Sequence, residues 1–312
     1  MNRPVVSAIS PCYRMGKYLV GFLERLPRQT FFDQTEVVLD HNEPTEQEVQ
    51  LVEDFQKKYP GRLKHIIVKK VDPIGMSMNK CIREASGEFL AIWNVDDLRT
   101  HDSIELQARL LLDNPDVGLA YGDYKTVDSF GSTNGDIVQH SDIPSSEFTR
   151  SMIFGPFFMF RKSLCEKAGF FDEQLRSGAD FDLAMRLAFH GRAQMVEGEL
   201  GYYLNEGLGA STRSNSLQPL ERTVIELRYG IYHKIDYHYL PQALRYNIYQ
   251  LQHGNQWAPI EDFVPNYAEM MSERYRLWFD KGLKNHLSLV GKEKDIVRQG
   301  LRKVKSIISR NK

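Results

Sequence analysis

The chain has 312 residues, of which 42% are hydrophobic and 26% charged, with a formal net charge of −1. These proportions are those of an ordinary globular protein with room for one large domain and an appendage. The near-zero charge gives no reason to expect nucleic acid as a partner, and no apolar stretch approaches the length of a membrane span. Cysteine is rare and widely spaced, which indicates neither a disulfide framework nor a zinc site, so we expect a cytoplasmic protein.

Apolar β-branched runs alternate with segments of helical periodicity along the first 121 residues. The predicted strands cover 5–9, 37–40, 63–68, 89–95 and 117–121. The predicted helices cover 19–26, 45–55, 75–85 and 104–111, and Thr45 is the expected N-cap of the second. Strands that alternate with helices at this rhythm predict an α/β fold, with a mostly parallel sheet and helices on both faces.

The fourth predicted strand ends in two adjacent acids, Asp96 and Asp97. Two carboxylates at the exit of a buried strand repel each other and lose solvation, so the pair destabilises the fold unless something compensates its charge. A divalent cation such as Mg²⁺ or Mn²⁺ would offset that cost, with substrate phosphates completing its coordination. The alternative is that one of the pair caps the helix that begins near His101.

Other polar residues also follow predicted strands. Asp40 ends the second strand, and Ser10, Pro11 and Tyr13 follow the first. In sheets of this type ligands bind beyond the carboxyl ends of the strands, so these residues should meet Asp96 at one edge. Tyr13 could stack on a base and Asp40 could accept a hydrogen bond from a base or ribose. The alternatives are a packed aromatic ring and a turn-forming aspartate.

The first crossover contains no glycine-rich phosphate loop. The sequence after strand one has neither the G-x-G-x-x-G pattern of dinucleotide-binding folds nor the G-K-[ST] of phosphate-loop ATPases. A nicotinamide dehydrogenase and a phosphate-loop ATPase are therefore disfavoured. Any bound phosphate must be neutralised in another way, which agrees with a metal at Asp96 and Asp97.

The second half of the chain begins with a polar excursion at 123–150, followed by an apolar run at 154–160 and a short helix at 163–168. A clear helical face follows around Leu183 and Leu187, with Asp180 and Asp182 in its first turn. These two aspartates could cap that helix, or one of them could project into the cleft as a general base. Strand patterns then cover 194–198 and 200–204, and a glycine-rich turn covers 207–212.

Composition shifts after residue 214, where we place a boundary between a catalytic domain (1–214) and a helical C-terminal region (215–312). Apolar and tyrosine residues recur at helical spacing between 217 and 253, which predicts helices packed on the domain. The pattern of the tail from Lys292 predicts a basic amphipathic helix. It could contact an anionic membrane surface, at the inner face of the membrane, or dock on its own domain or on a second subunit as a homodimer.

Taken in order, these motifs resemble glycosyltransferase family 2, the inverting sugar transferases of GT-A fold. The similarity spans roughly residues 4–212. It includes the segment Ser10 to Arg14 after strand one, the Gln29-Thr30-Phe31 segment, and the approach from Gly75 to the acids at 96–97. The segments around Phe171-Asp172 and Asp180-Phe181-Asp182-Leu183 match the family's later motifs.

The resemblance implies a role for each matching residue. These roles concern a nucleotide-sugar donor, an Mn²⁺ or Mg²⁺ ion on its diphosphate, and a hydroxyl acceptor on a glycan or glycolipid. Pro11, Tyr13, Arg14, Asp40 and Asn79 would hold the donor, Asp96 would contact ribose or metal, Asp97 would bind the metal, and Asp180 would deprotonate the acceptor. A further metal-binding position of the family falls near Glu206. UDP is the commonest donor nucleotide of the family.

The sequence also departs from the family pattern. Asn94 stands where an aspartate is common, Asn42 and Glu43 replace a Gly-Ser pair, and Ala179 replaces a glutamate beside the expected base. Two rival functions are a nucleotidyltransferase, which would need a basic glycine-rich loop after strand one, and a non-catalytic nucleotide-sugar-binding module. The missing loop disfavours the first, and the retained acids disfavour the second.

Overall fold

The structure, a computed structural model, describes residues 3–151, 154–207 and 216–280. Strands and helices alternate in its first part, in the order β1 (Val6–Tyr13), α1 (Gly16–Arg25), β2 (Thr35–Asn42), α2 (Glu46–Lys58), β3 (Leu63–Val68), α3 (Ile74–Glu84), β4 (Phe89–Ile92), β5 (Leu98–Arg99), α4 (Ser103–Asp113) and β6 (Val117–Val127). The N-cap prediction is confirmed, because the Thr45 hydroxyl accepts from the Glu48 N–H and the Glu48 carboxylate accepts from the Thr45 N–H.

The remaining elements are less regular. They are β7 (Asp136–Val138), α5 (Ser145–Ser151), β8 (Met159–Arg161), α6 (Cys165–Ala168), α7 (Ala179–Leu187), β9 (Arg192–Leu204), α8 (Gln218–Arg228), α9 (Leu240–Ala243), β10 (Gln250–His253), β11 (Gln256–Pro259) and α10 (Tyr267–Asp280). The strands predicted at 194–198 and 200–204 are one strand, β9. The apparent break is a bulge against β6, where Gly198 adopts φ 101°.

The main sheet has the order β3-β2-β1-β4-β8-β6-β9-β5, with β7 paired to β6. Strands β3, β2, β1 and β4 run parallel, as the strand–helix alternation predicts. This confirms the predicted fold class. Strand β8 runs antiparallel to both β4 and β6, and β5 runs antiparallel to β9. The antiparallel pairings of β8 and β5 were not predicted from the sequence, because these strands are only three and two residues long.

Helices cover both faces of the sheet. Ile9 and Val38 face a core that includes residues of α3, α7 and α8, whereas Ala8 and Leu39 face a second core with residues of α1, α2 and α4. Successive strand residues point to opposite faces, so each parallel strand contributes to both cores. This double burial explains the continuous apolar runs in the sequence.

The C-terminal region packs on the same core, as predicted. Ile225, Tyr229 and Tyr232 are buried in the cluster that contains Ile9. The helical prediction is wrong at Leu251, which lies in β10 and pairs with β11 across a tight turn at Gly254. The boundary at 214, the residues 208–212 of the predicted turn and the basic segment from Lys292 lie outside the described residues. No helix within the described ranges is long and apolar enough to cross a bilayer.

Candidate active site

The carboxyl ends of β2, β1 and β4 lie side by side. In the β1–β2 ladder Pro11 is the register partner of Asp40 and Tyr13 that of Asn42. On the other side of β1, Ile9 pairs with Ile92, the last residue of β4. The segments that carry Asp40 and Asp96 therefore leave the sheet on either side of β1, as expected from a parallel arrangement.

The Asp40 side chain is completely buried and only partly satisfied. Its Oδ1 accepts a hydrogen bond from Asn42 Nδ2 at 2.9 Å, while Oδ2 has no partner within the part of the chain described. Burial raises the pKa of Asp40 to about 6, with a smaller opposing effect from Lys80. A buried carboxylate oxygen without a donor is costly, so this atom is suited to accept an N–H or O–H from a ligand.

The turn after β1 contains a strained residue beside Tyr13. Arg14 adopts φ 54°, and Glu43, at the same position after β2, adopts φ 50°. Left-handed backbone at non-glycine residues is uncommon and concentrates at functional sites. The Arg14 guanidinium lies 5.0 Å from the centroid of the Tyr13 ring, which is half-buried, as is Pro11. The donor contacts assigned to these three residues stay predictions.

Asn79 was also predicted to hold the donor, but its amide is already engaged within the protein. Nδ2 donates to the Phe171 carbonyl and to a Glu173 carboxylate oxygen, both at 3.0 Å, and Oδ1 accepts from the Phe171 N–H at 2.9 Å. These bonds fasten α3 to the segment after α6. Gly75 in the same helix allows that close approach, since a Cβ there would lie 3.0 Å from the Asp172 carbonyl oxygen.

Asp97 and Asp96 differ in their surroundings. Asp97 is buried and accepts hydrogen bonds from Asn94 Nδ2 at 3.0 Å and from the Leu204 N–H at 3.2 Å. Burial, followed by the charge of Asp96, raises the pKa of Asp97 to about 8. Neither aspartate caps α4, because that helix begins at Ser103 with Asp102 at its N-cap. The capping alternative is therefore wrong.

The half-buried Asp96 carboxylate contacts its own backbone N–H and accepts from no other donor among the described residues. Burial raises its pKa, whereas the nearby Lys17 ammonium lowers it. A half-buried carboxylate with spare acceptor capacity is the type of group that a hard cation takes as a ligand. Of the two adjacent acids, Asp96 is thus the one with the freer oxygens.

Glu206, the third predicted metal ligand, is engaged by α1. Its carboxylate lies 3.1 Å from Lys17 Nζ and also accepts from the Tyr18 hydroxyl. Within the described ranges, no group of three acidic, histidine or cysteine side chains is close enough to enclose a metal ion. Asp96, Asp97 and Glu206 therefore do not form a three-ligand cage. The Lys17 ammonium bonds Glu206 and is close enough to Asp96 to lower the pKa of that carboxyl. Sequence reasoning missed Lys17 and Tyr18, which lie in the first turn of α1, the helix that follows β1.

Asp180 and Asp182, which the sequence left open between capping and catalysis, have distinct environments. The N-cap of α7 is Gly178, and neither aspartate side chain caps the helix. Asp182 is completely buried and bonds Arg186 and Arg228, each at 2.6 Å, so its charge is neutralised within the protein. Asp180 is half-buried, and its Oδ1 accepts from the adjacent Phe181 N–H at 2.9 Å. Its carboxylate also contacts its own backbone N–H, and no side chain among the described residues bonds it.

The Asp180 carboxylate is therefore free to accept a proton. Burial raises its pKa to about 6, and the negative charge of Glu221 adds to the increase. A carboxylate with this pKa is poised to accept a proton near neutral pH. The choice of Asp180 over Asp182 as a base stays a prediction, and the environments of the two side chains favour it.

Tyr124 and the segment 154–155 connect the surroundings of Asp97 with those of Asp180. Burial and the charge of Asp97 raise the pKa of the Tyr124 hydroxyl. The Tyr124 ring packs directly on the backbone of Gly155, where a Cβ would clash with it. The next residue, Phe154, packs on Phe181 with ring centroids 4.7 Å apart. Tyr124 was missed from the sequence because it lies in the excursion at 123–150, whose polar composition predicted no fixed position.

A profile described as Glycosyl transferase family 2 matches residues 7–169, just over half of the chain. The chain belongs to glycosyltransferase family 2. The resemblance drawn from the motifs is confirmed, and this member of family 2 is a transferase enzyme. Residues 170–312 lie beyond the matched segment, and they include Asp180.

Several curated glycosyltransferases are similar to this family 2 chain. An uncharacterized glycosyltransferase of Methanocaldococcus jannaschii is 24% identical over 195 residues, which cover 60% of the chain and 65% of that protein. The hyaluronan synthase of Pasteurella multocida is 23% identical over 193 residues, which cover 62% of the chain and 20% of the synthase. The chain thus spans between about a fifth and just under two thirds of the length of the curated relatives it matches.

Solved glycosyltransferases share the fold of this family 2 chain. S. aureus TarS 1–349, crystallised in complex with UDP-GlcNAc, is 18% identical with a TM-score of 0.63, covering 97% of this chain and 81% of TarS. The mannosyltransferase PcManGT from Pyrobaculum calidifontis, in complex with GDP-Man and Mn²⁺, is 16% identical with a TM-score of 0.53, covering 99% of this chain and 84% of PcManGT. At these identities the likeness establishes the fold.

Proposed function

We propose that this enzyme moves a sugar, with inversion at the anomeric carbon, from a nucleotide-diphosphate sugar to a hydroxyl group of a glycan, polysaccharide or glycolipid. One observation carries the proposal. Asp40 and Asp96, two carboxylates with unused acceptor capacity, follow the parallel strands on either side of β1. This is the edge at which sheets of this type bind their ligands.

For the donor, the unpartnered Oδ2 of Asp40 would accept an N–H of the base or a ribose hydroxyl. Tyr13, with Arg14 beside it, would stack on the base, and Pro11 would shape the wall of the pocket. UDP is the proposed nucleotide, supported by the TarS complex with UDP-GlcNAc. The PcManGT complex with GDP-Man keeps GDP in the test panel.

The residues present fit a divalent cation of the kind that completes its coordination with substrate. Mg²⁺ at nucleotide sites takes one or two carboxylates from the protein and the rest of its ligands from phosphates and water. Asp96 would be the first of these carboxylates, with Asp97 held behind it by Asn94 and Leu204. When bound, the cation would neutralise charge on the leaving diphosphate.

In the proposed reaction the acceptor oxygen forms a bond to C1 of the sugar while the bond from C1 to the diphosphate oxygen breaks. The nucleotide diphosphate leaves with the bonding electron pair, and Asp180 takes the proton of the acceptor hydroxyl. Attack from the face opposite the leaving group gives inversion. The raised pKa of Asp180, about 6, keeps this carboxylate basic enough to accept the proton at neutral pH.

For the acceptor, two relatives from Pasteurella multocida carry the names hyaluronan synthase and chondroitin synthase. These names support a saccharide chain as the substrate that supplies the hydroxyl. The side of the site formed by Tyr124 and by residues 154–157 joins the Asp97 region to α7. We propose that the acceptor enters along this side.

The test is a panel of UDP-, GDP- and dTDP-sugars with and without Mn²⁺, read by melting temperature and by release of nucleoside diphosphate. We expect one donor class to raise the melting temperature in the presence of Mn²⁺ and to be hydrolysed slowly. Asp96→Asn should lose the Mn²⁺-dependent shift, whereas Asp54→Asn, at an exposed position on α2, should keep it. Asp180→Asn should bind donor and fail to transfer.

Three outcomes would contradict the proposal. No melting shift with any donor would remove the nucleotide-sugar assignment. Release of pyrophosphate from a nucleoside triphosphate and sugar phosphate would favour the nucleotidyltransferase alternative. Transfer at the wild-type rate by Asp180→Asn would refute that residue as the base.

A further inference from the structure

Glu221, in the first turn of α8, is a fully buried carboxylate bonded to consecutive backbone N–H groups. It accepts hydrogen bonds from the N–H of Arg176 at 2.9 Å, of Ser177 at 2.7 Å and of Gly178 at 2.9 Å. The Tyr246 hydroxyl donates a longer one at 3.3 Å. No lysine or arginine side chain pairs with it among the described residues.

A buried carboxylate without a cationic partner is costly unless several donors converge on it. Three successive backbone N–H groups provide such a concave site for an anion. The same bonds fix the conformation of the turn 176–178, whose last residue, Gly178, is the N-cap of α7. The Ile225 side chain of α8 packs closely against Gly178, since a Cβ on Gly178 would lie 2.9 Å from Ile225 Cδ1.

Helix α8 also contacts α7 directly, in addition to its bonds to the turn 176–178. Arg228 donates to the Asp182 carboxylate at 2.6 Å and to the Asp172 carboxylate at 2.8 Å, and all three side chains are fully buried. Asp180 lies in the chain between Gly178 and Asp182. The segment that carries it is therefore held on both sides by α8, which lies outside the matched residues 7–169.

We propose that Glu221 is a positioning residue for the proton transfer, because it fixes the turn 176–178 and thereby the direction in which Asp180 meets the acceptor hydroxyl. The inference rests on the proposed function of Asp180. It assigns a part in the reaction to the C-terminal region, where the family motifs predict none. A misplacement of about 1 Å at a catalytic group can cost about a hundredfold in rate, so such an anchor matters for turnover.

The Glu221 charge gives a signature that fold stabilisation alone would not produce. Its negative charge adds to the raised pKa of Asp180, after burial, and is the one charged group with that effect in the described part of the chain. The neighbouring Asp182 is neutralised by Arg186 and Arg228. Removing the Glu221 charge should therefore move the acidic limb of the kcat profile to lower pH.

Three variants test this inference. Glu221→Gln removes the charge and two of the acceptor sites, and we expect kcat to fall about ten- to a hundredfold with the donor KM within about twofold. Glu221→Asp keeps the charge but retracts the carboxylate, so kcat should fall with the acidic limb unchanged. Glu226→Gln is the matched control, a buried glutamate of α8 bonded to Arg222 instead of the turn, and should keep both kcat and the limb.

Wild-type kcat and pH profile in a folded Glu221→Gln would overturn the inference. An equal fall of kcat in Glu226→Gln would also overturn it, since the cause would then be damage to α8. If Glu221→Gln does not fold, Glu221→Asp decides, with an unchanged kcat as the contradicting result.

One further readout does not require turnover. The ¹³C carboxyl resonance of Asp180, assigned by comparison with Asp180→Asn, should titrate at lower pH in Glu221→Gln than in the wild type. If no donor is turned over, the proposed function fails, while this titration still decides whether Glu221 acts on Asp180. An unchanged titration would overturn the inference.

Discussion

Arg228 and Asp182 form a completely buried ion pair, with Nη1 2.6 Å from the carboxylate oxygen Oδ1. Asp182 also bonds Arg186, and Arg228 also bonds Asp172, so two arginines and two aspartates from α7, α8 and the segment before α7 neutralise one another. Breaking such a pair from one side leaves an uncompensated buried charge, which is more costly than removing the whole pair.

We therefore expect Arg228→Met to lower the free energy of unfolding by about 3–5 kcal/mol, because Asp172 and Asp182 lose their shared cation. Urea denaturation at pH 7 measures this loss. Arg109→Met is the matched control, since Arg109 forms an exposed helical pair with Glu105 and its loss should leave the free energy of unfolding nearly unchanged. A loss in Arg228→Met no larger than in the control would contradict the role of the buried pair.

Lys17 lies 3.1 Å from the Glu206 carboxylate and acts on Asp96, so its ammonium competes with any cation at these acids. Lys17→Met should lower the Mn²⁺ concentration for half-maximal donor binding by about two- to fivefold, which corresponds to the modest energy of an exposed pair. A donor titration at several Mn²⁺ concentrations measures the change. Lys58→Met, at the end of α2, should leave it unaltered, and a requirement for more Mn²⁺ in Lys17→Met would contradict the competition.

The pH dependence of kcat follows from Asp180. A general base must be deprotonated to act, and burial raises the pKa of Asp180 to about 6 from an ordinary value near 4. We expect kcat to rise about tenfold from pH 5 to pH 6.5 and then to level off. A profile flat down to pH 5 would show that a group with an ordinary carboxylate pKa, or no base in this range, limits turnover.

His41 and His65 form a pair whose ring nitrogens Nδ1 and Nε2 lie 3.2 Å apart. Burial, followed by the charge of His41, lowers the pKa of His65 to about 4 from 6.5. The unfolded chain therefore binds more protons than the folded one between these values, so this pair destabilises the fold as pH falls from 6.5 to 4.

We expect His65→Gln to be less sensitive to that acidification than the wild type by about 1–2 kcal/mol, after allowance for the partial exposure of His65. Urea denaturation at pH 7 and pH 5 gives this difference. Comparing variant with wild type is necessary because Asp40, whose pKa is raised to about 6, has the opposite dependence. Parallel pH profiles for the two proteins would contradict the assignment to His65.

The sequence by itself determined the parallel half of the sheet and the edge at which the acids gather. Apolar runs such as 37–39 and 89–92 indicate strands buried on both faces, and the helices predicted between the strands favour parallel crossover connections. Thr45 as a helix cap, and Asp40 and Asp96 as residues at neighbouring strand exits, follow from this local logic. Each of these sequence patterns extends over tens of residues, about the length of one strand–helix–strand unit.

The tertiary structure decided which of the aspartate side chains keep oxygens free to bind a ligand or accept a proton. Asp97 is satisfied by the Leu204 N–H, more than 100 residues away, and Asp182 by Arg228, 46 residues away, while Asp96 and Asp180 are not satisfied in this way. Two adjacent or nearly adjacent aspartates look alike in a sequence, because hydrogen bonds and burial depend on partners brought in by distant segments. The same reason hid Glu221, which is an ordinary helical glutamate until folding places three backbone N–H groups against it.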